Sequence, residues 1–186
     1  MSEFLSTPEW KAETPRVEDA EAMAHLQSQS WLDTYQRDGQ EERNAEIQLY
    51  AQKMVQPERV ALRQQFIERA LNNPKALYKI VRGENDQPVG LLFGSKRNDS
   101  QELITLYVDQ DYQGKGVAPE LMQSFLDWVD PDRPVELGVL EDNERAQRFY
   151  EKFGFEIVPE TLHPFQESKY LFEITMKRKA QDEIQS

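Results

Sequence analysis

An apolar run over residues 102–108, the segment Gln113-Gly114-Lys115-Gly116-Val117-Ala118 and a helical pattern over residues 117–129 follow one another in this chain. No other stretch limits the possible folds as much. After its first residue the run is apolar on both faces, as in a strand inside a sheet. Glycines at 114 and 116 then let the backbone turn sharply into a helix. Such a turn exposes consecutive backbone N–H groups at a helix N-terminus, where unsatisfied donors and the helix dipole favour an anion, with pyrophosphate the natural guest. Two other nucleotide loops fail here. The P-loop needs four residues between its first glycine and Gly-Lys, and the dinucleotide fingerprint needs a small residue where Pro119 stands. Pro119 suits the first turn of a helix. Taken alone, Gly114-Lys115-Gly116 also reads as a plain turn between strand and helix.

The flanking patterns predict a mixed α/β domain. Residues 9–12 read as a short first strand, and Thr14-Pro15 opens a helix whose Val17, Ala20, Met23, Ala24 and Trp31 keep helical spacing. Residues 41–72, rich in Gln, Glu, Ala and Arg, predict two helices broken near Val55-Gln56-Pro57. Strands are expected at 77–82 and 89–94 around the turn formers of residues 83–88, with a polar turn at 96–100 before the run at 102–108. Further strands are expected at 135–139, 155–158 and 170–176, a helix at 143–152, a loop at 159–169 and a frayed tail at 177–186. The 186 residues form one domain in this reading, and 38% hydrophobic composition supplies one sizeable core.

The net charge of −12 disfavours nonspecific binding to nucleic acid or to an anionic membrane, both of which reward basic surface. It favours cationic partners. A phosphate site still needs only a local set of donors. Without cysteine there is no disulfide framework and no thioester intermediate on the protein, so any acyl transfer is direct. His25 and His163 are too few and too separated to suggest a metal site. Met1-Ser2-Glu3-Phe4 has no basic and apolar leader pattern and no run reaches the length of a membrane span, which makes the cytoplasm the default location. A monomer or homodimer is expected.

The order of strand, Gln113-x-x-Gly116-x-Ala118, helix, strand, Asn143-x-x-Ala146, Phe149-Tyr150 and Gly154-Phe155 resembles the acyl-CoA-binding core of the GNAT superfamily of N-acetyltransferases across about half the chain. The resemblance implies a three-layer fold with a mostly antiparallel mixed sheet of about seven strands, helices on both faces, and splayed fourth and fifth strands, here residues 102–108 and 135–139. It implies acetyl-CoA as cosubstrate and no metal. The N–H groups of Gln113, Gly114, Lys115, Gly116, Val117 and Ala118 would hold the pyrophosphate, and the main chain of Leu106, Tyr107 and Val108 the pantetheine arm. Asn143, Arg145, Ala146 and Phe149 would complete the cofactor site. Asn143 reads equally as a helix N-cap, and Arg145 and Lys115 as solvated surface.

Attack of an amine on a thioester requires a neutral amine, support for the oxyanion and a proton for the departing thiolate. A lysine-like amine has a pKa near ~10.4 and a thiol near ~8.5, so at neutral pH the first proton is removed and the last supplied. The resemblance implies Tyr150 as general acid; its other reading is a packing tyrosine beside Phe149 and Phe153. Glu102 aligns with the glutamate that some members use as base. It also reads as a strand-end residue in solvent, and Glu136 or a residue of the 159–169 loop is the alternative base. The Val108 amide would support the oxyanion. The expected activity is transfer of acetyl to a primary amine of a small cationic metabolite, polyamine or peptide. A CoA-binding sensor without turnover is the alternative. Acceptor choice is expected in residues 27–50 and 159–169, with Trp31 and Tyr35 as pocket lining or core.

Overall fold

The computed structural model describes residues 9–97 and 100–180. The expectations for Met1–Phe4, for Asn98 and Asp99 in the polar turn, and for the tail beyond Ala180 lie outside the described residues. β1 (Ala76–Arg82) and β2 (Pro88–Lys96) form an antiparallel hairpin, and β3 (Gln101–Val108) adds antiparallel to β2. β4 (Val135–Leu140) runs parallel to β3 through the crossover helix α4 (Val117–Trp128), a connection that parallel strands require. β7 (Phe172–Arg178) pairs antiparallel with β4, with β5 (Phe155–Ile157) and with β6 (His163–Pro164). The sheet order is β1-β2-β3-β4-β7-β5, with β6 on the side. The chain is therefore a mixed α/β fold with a seven-stranded, mostly antiparallel sheet.

Helices cover both faces, and β1 and β2 send apolar side chains to each. In α4, Val117, Leu121, Met122 and Phe125 recur at helical spacing. They pack with Tyr150 of α5 (Glu144–Glu151) onto Leu103, Leu137, Val139 and Met176. On the other face, α1 (Ala20–Tyr35) and α3 (Pro57–Leu71) bury Met23, Leu26 and Ile67 against Ile80 and Leu91. α1 and α2 (Glu41–Met54) join Trp31, Tyr35 and Ile47 to Leu140 and Leu171. Each fully buried Leu, Met or Phe contributes about 1.5–3 kcal/mol.

The central strands splay as expected. β3 and β4 share only three rungs, Gln101 with Val135, Glu102 with Glu136 and Leu103 with Leu137. The cause is on β3: Phe93 faces Thr105 but Gly94 faces Leu103, so Ile104 has no opposite residue on β2. Such a bulge bends the strand that carries it. Past it the wedge opens. Ile104 is 50% exposed, and Gly138 is exposed although its strand is interior to the sheet.

Several expectations require correction. Residues 9–12 form no strand; only Glu13 bridges to Ile80, and Trp10 is turned toward the glycine loop. The splayed pair is thus third and fourth in sequence, and β6, inside the expected 159–169 loop, makes the seventh strand. The first long helix begins at Ala20, after a 3-10 turn over Val17–Asp19. Asp19 accepts from the Arg16 amide at 2.6 Å and pairs with Arg82, which holds that segment in the tighter turn. Lys177 and Arg178 are not tail. They extend β7 because β4 and β5 pair with it on both sides, and their charges hide the strand by pairing at its surface, Lys177 with Glu136 at 3.4 Å. Ala180 beyond them is 2% exposed.

Candidate active site

The glycine loop grows out of the end of β3. Asp109 accepts from the Asp111 amide at 2.9 Å and starts a 3-10 turn over Gln110–Tyr112. Gly114 (φ 78°) and Gly116 (φ 96°) then take left-handed conformations that side chains disfavour. α4 starts at Val117 with no side-chain cap. The Gln113 and Lys115 amides donate to Gln110 and Tyr112 carbonyls, both at 3.3 Å, so they serve the turn and not an anion. Among the described residues, nothing accepts from the amides of Gly114, Gly116, Val117 and Ala118. Four of the six loop amides are therefore unpaired among the described residues, and Val117 and Ala118 belong to a helix N-terminus.

Side chains from before and after this loop in the sequence hold it in place. Arg145, in the first turn of α5, donates to Gln113 Oε1, while Gln113 Nε2 donates to the Val108 carbonyl at 3.1 Å. A guanidinium is thereby fixed on the residue that opens the glycine loop. Lys115 is turned onto the Tyr112 ring, its Nζ 5.4 Å from the centroid. Trp10 was not among the sequence candidates. Its Nε1 donates to the Lys115 carbonyl at 2.6 Å, and its ring meets Tyr112 edge-on at 5.8 Å. No local pattern marks a partner 105 residues away.

Three phenols meet around the wedge. Tyr150 is 8% exposed, packed by Phe149 and Phe155, and its hydroxyl has no hydrogen-bond partner among the described residues. Burial, with the Tyr107 phenol adding to it, pushes its pKa up. Tyr107, on β3, accepts from Trp31 Nε1 at 2.8 Å. Tyr35 accepts from Asn143 Nδ2 at 3.0 Å, and burial chiefly raises the Tyr35 phenol as well. Asn143 is also the N-cap of α5, its Oδ1 accepting from the Ala146 amide at 3.1 Å, so its amide group is committed on both sides. Trp31, 3% exposed, is core and not free lining. Val108 is buried on the α4 side, with Leu106, Ala146 and Phe149 partly buried beside it.

Carboxylates occupy the opposite face of the sheet. Gln101 and Leu103 point to the α4 side, which turns Glu102 toward the α1 side. It sits on the middle of the three rungs, opposite Glu136, with Arg97 at 3.4 Å. Glu136 pairs with Lys177. His163 Nδ1 lies 2.7 Å from the Thr161 carbonyl and Nε2 3.0 Å from Glu173 Oε1. The Thr161 carbonyl, then Glu173, raise the imidazole pKa. His25 is exposed on α1 and joins none of this. Among the described residues no His, Cys, Asp and Glu group is arranged to hold a metal ion, and no helix is long and apolar enough to cross a membrane.

Known proteins share this fold and parts of this sequence. A sequence model of the Acetyltransferase (GNAT) family matches residues 20–155. The chain is 34% identical over 84 residues to peptidyl-lysine N-acetyltransferase YjaB of Escherichia coli, covering 45% of this chain and 52% of that protein. It is 47% identical over 60 residues to an uncharacterized N-acetyltransferase of Mycobacterium tuberculosis, 30% of this chain and 37% of that one. The match thus spans about half the length of these curated relatives or less. Among solved structures, the PaiA N-acetyltransferase of Thermoplasma acidophilum in complex with coenzyme A superposes with a TM-score of 0.69 at 20% identity, covering 92% of this chain and 99% of that one. With the family model covering most of the chain and the splayed sheet in place, this protein belongs to the GNAT acetyltransferase family.

Proposed function

We propose that the protein transfers an acetyl group from acetyl-CoA directly to a primary amine on a cationic small molecule or peptide. Three observations carry this reading together: β3 and β4 part past Leu103 and Leu137, the amides of Gly114, Gly116, Val117 and Ala118 have no acceptor among the described residues, and the Tyr150 hydroxyl has no hydrogen-bond partner among them. Acetyl-CoA supplies the thioester. The amides of Gly114, Gly116, Val117 and Ala118 supply donors, and the Arg145 guanidinium a positive charge, of the kinds that hold phosphate groups. The β3 edge from Ile104 to Val108 lacks a strand partner on the β4 side, and its main chain is open to an amide-bearing arm.

Tyr150 then acts as the proton source for the departing sulfur. The phenol is protonated at neutral pH, the form an acid must have. Glu102, on the α1 side of the wedge, takes the proton of the incoming amine. The peptidyl-lysine activity named for the E. coli relative agrees with an aliphatic amine acceptor. An amine panel scored by free-thiol release tests the proposal. Thiol release that depends on both acetyl-CoA and an amine is expected, and acetyl-CoA binding without release for any amine would refute acetyl transfer.

A further inference from the structure

Three carboxylates stand on the sheet face that looks toward α1 and α2: Glu102, Glu136 and Glu173. On β7, Ile174 and Met176 pack into the α4 side, which leaves Glu173 on this one. Two of the three have a permanent cation at hand, Arg97 for Glu102 and Lys177 for Glu136. Glu173 meets only His163 among the described residues, through Oε1 at 3.0 Å. Its other oxygen is free. Glu173 is paired with Leu140, so Gly138 is its diagonal neighbour on β4. A Cβ on Gly138 would lie 2.6 Å from Glu173 Oε2. The carboxylate therefore lies across β4 at the first residue past the β3 ladder, where the wedge opens, and it does so because residue 138 has no side chain. Tyr50 of α2 borders the same space: burial, and in smaller part the Glu173 charge, push its phenol up. Trp31 and Phe165 pack against Tyr50 at 4.3 and 5.4 Å.

We propose that Glu173 Oε2 receives the ammonium group of the acceptor at the mouth of the wedge, so that Glu173 selects cationic amines over neutral or anionic acceptors. The inference rests on the acetyl-transfer reading above. An anion bordered by aromatic rings is a setting that favours an organic cation, and His163 anchors the oxygen that the acceptor does not use.

The test measures steady-state kinetics with the best of 1,4-diaminobutane, spermidine and a Lys-containing peptide, alongside the thermal shift given by acetyl-CoA. Glu173→Gln is expected to raise the amine KM about ten- to a hundredfold, the worth of a charge-assisted hydrogen bond. kcat should stay within about threefold, and the acetyl-CoA shift should be that of the wild type. Gly138→Ala keeps the charge but takes the position of Oε2, and should raise KM in the same direction. An unchanged KM in Glu173→Gln overturns the inference while leaving acetyl transfer standing, as does a fall in kcat at constant KM. Turnover of none of the three amines by the wild type overturns both.

Discussion

Gly116→Val tests the loop at its most constrained residue. Gly116 has φ 96° and ψ −5°, and an added Cβ would sit 3.4 Å from Trp10 Cδ1. A side chain in the left-handed region costs about 1–2 kcal/mol, and valine's branches press further toward the indole. For a chain of this size 1 kcal/mol is about 2–4 °C, so the unliganded variant should melt about 2–8 °C below wild type. Acetyl-CoA at a hundred times its Kd stabilises a binding-competent protein by about 2.7 kcal/mol, or about 5–11 °C. The wild type should show that rise with acetyl-CoA and much less with acetyl-pantetheine, which lacks the pyrophosphate. In the variant the amides of Gly116 to Ala118 no longer converge, and the acetyl-CoA shift should fall below about 2 °C. Differential scanning fluorimetry reads both quantities in one experiment. A folded variant that loses a few degrees without ligand yet keeps the full acetyl-CoA shift would refute the phosphate assignment, because strain would be present without loss of the site.

Tyr150→Phe removes one proton and little volume, and kcat should drop on the order of 10²-fold with acetyl-CoA affinity retained; undiminished turnover would return Tyr150 to packing alone. Glu102→Gln should lose most activity at low pH, where the acceptor amine is most protonated. A pH–rate profile parallel to wild type would pass the role of base to Glu136. Arg82→Met strands the buried Asp19 carboxylate, which Arg82 meets at 2.7 and 3.0 Å, and should destabilise the fold by about 3–5 kcal/mol in urea titration at pH 7. Burial opposes ionisation of Asp19, but hydrogen bonds from Arg82 and Arg16 and their charges outweigh it, so its folded pKa is lowered. That contribution is present above the unfolded value near ~3.9 and is lost as pH falls through the folded pKa, so the penalty of Arg82→Met should shrink in acid. A penalty that does not change between pH 7 and pH 3 would refute the pairing.

The glycine loop was readable in the sequence because everything it needs is contiguous: a strand, two residues able to take positive φ, and a helix start within sixteen residues of Glu102. The same holds for the strands on either side, whereas Tyr150 was singled out by the family resemblance, its own spacing on α5 fitting a packing residue equally well. Apolar periodicity likewise announced the two-faced sheet and the helices that cover it. The sequence did not disclose the bulge at Ile104, since one unpaired residue leaves composition and alternation of a buried strand unchanged, yet that residue opens the wedge. It did not disclose that Lys177 and Arg178 belong to β7, because charges at a strand end resemble a tail until their partners, Glu136 among them, are in place. Trp10 on the Lys115 carbonyl and Glu173 across Gly138 join residues far apart in the chain, and no local pattern encodes the meeting of two distant side chains. Local sequence thus determined the glycine turn into α4 and the place of Tyr150 on α5. Long-range packing alone decided how far the strands part, which amides stay free, and which carboxylate faces the opening.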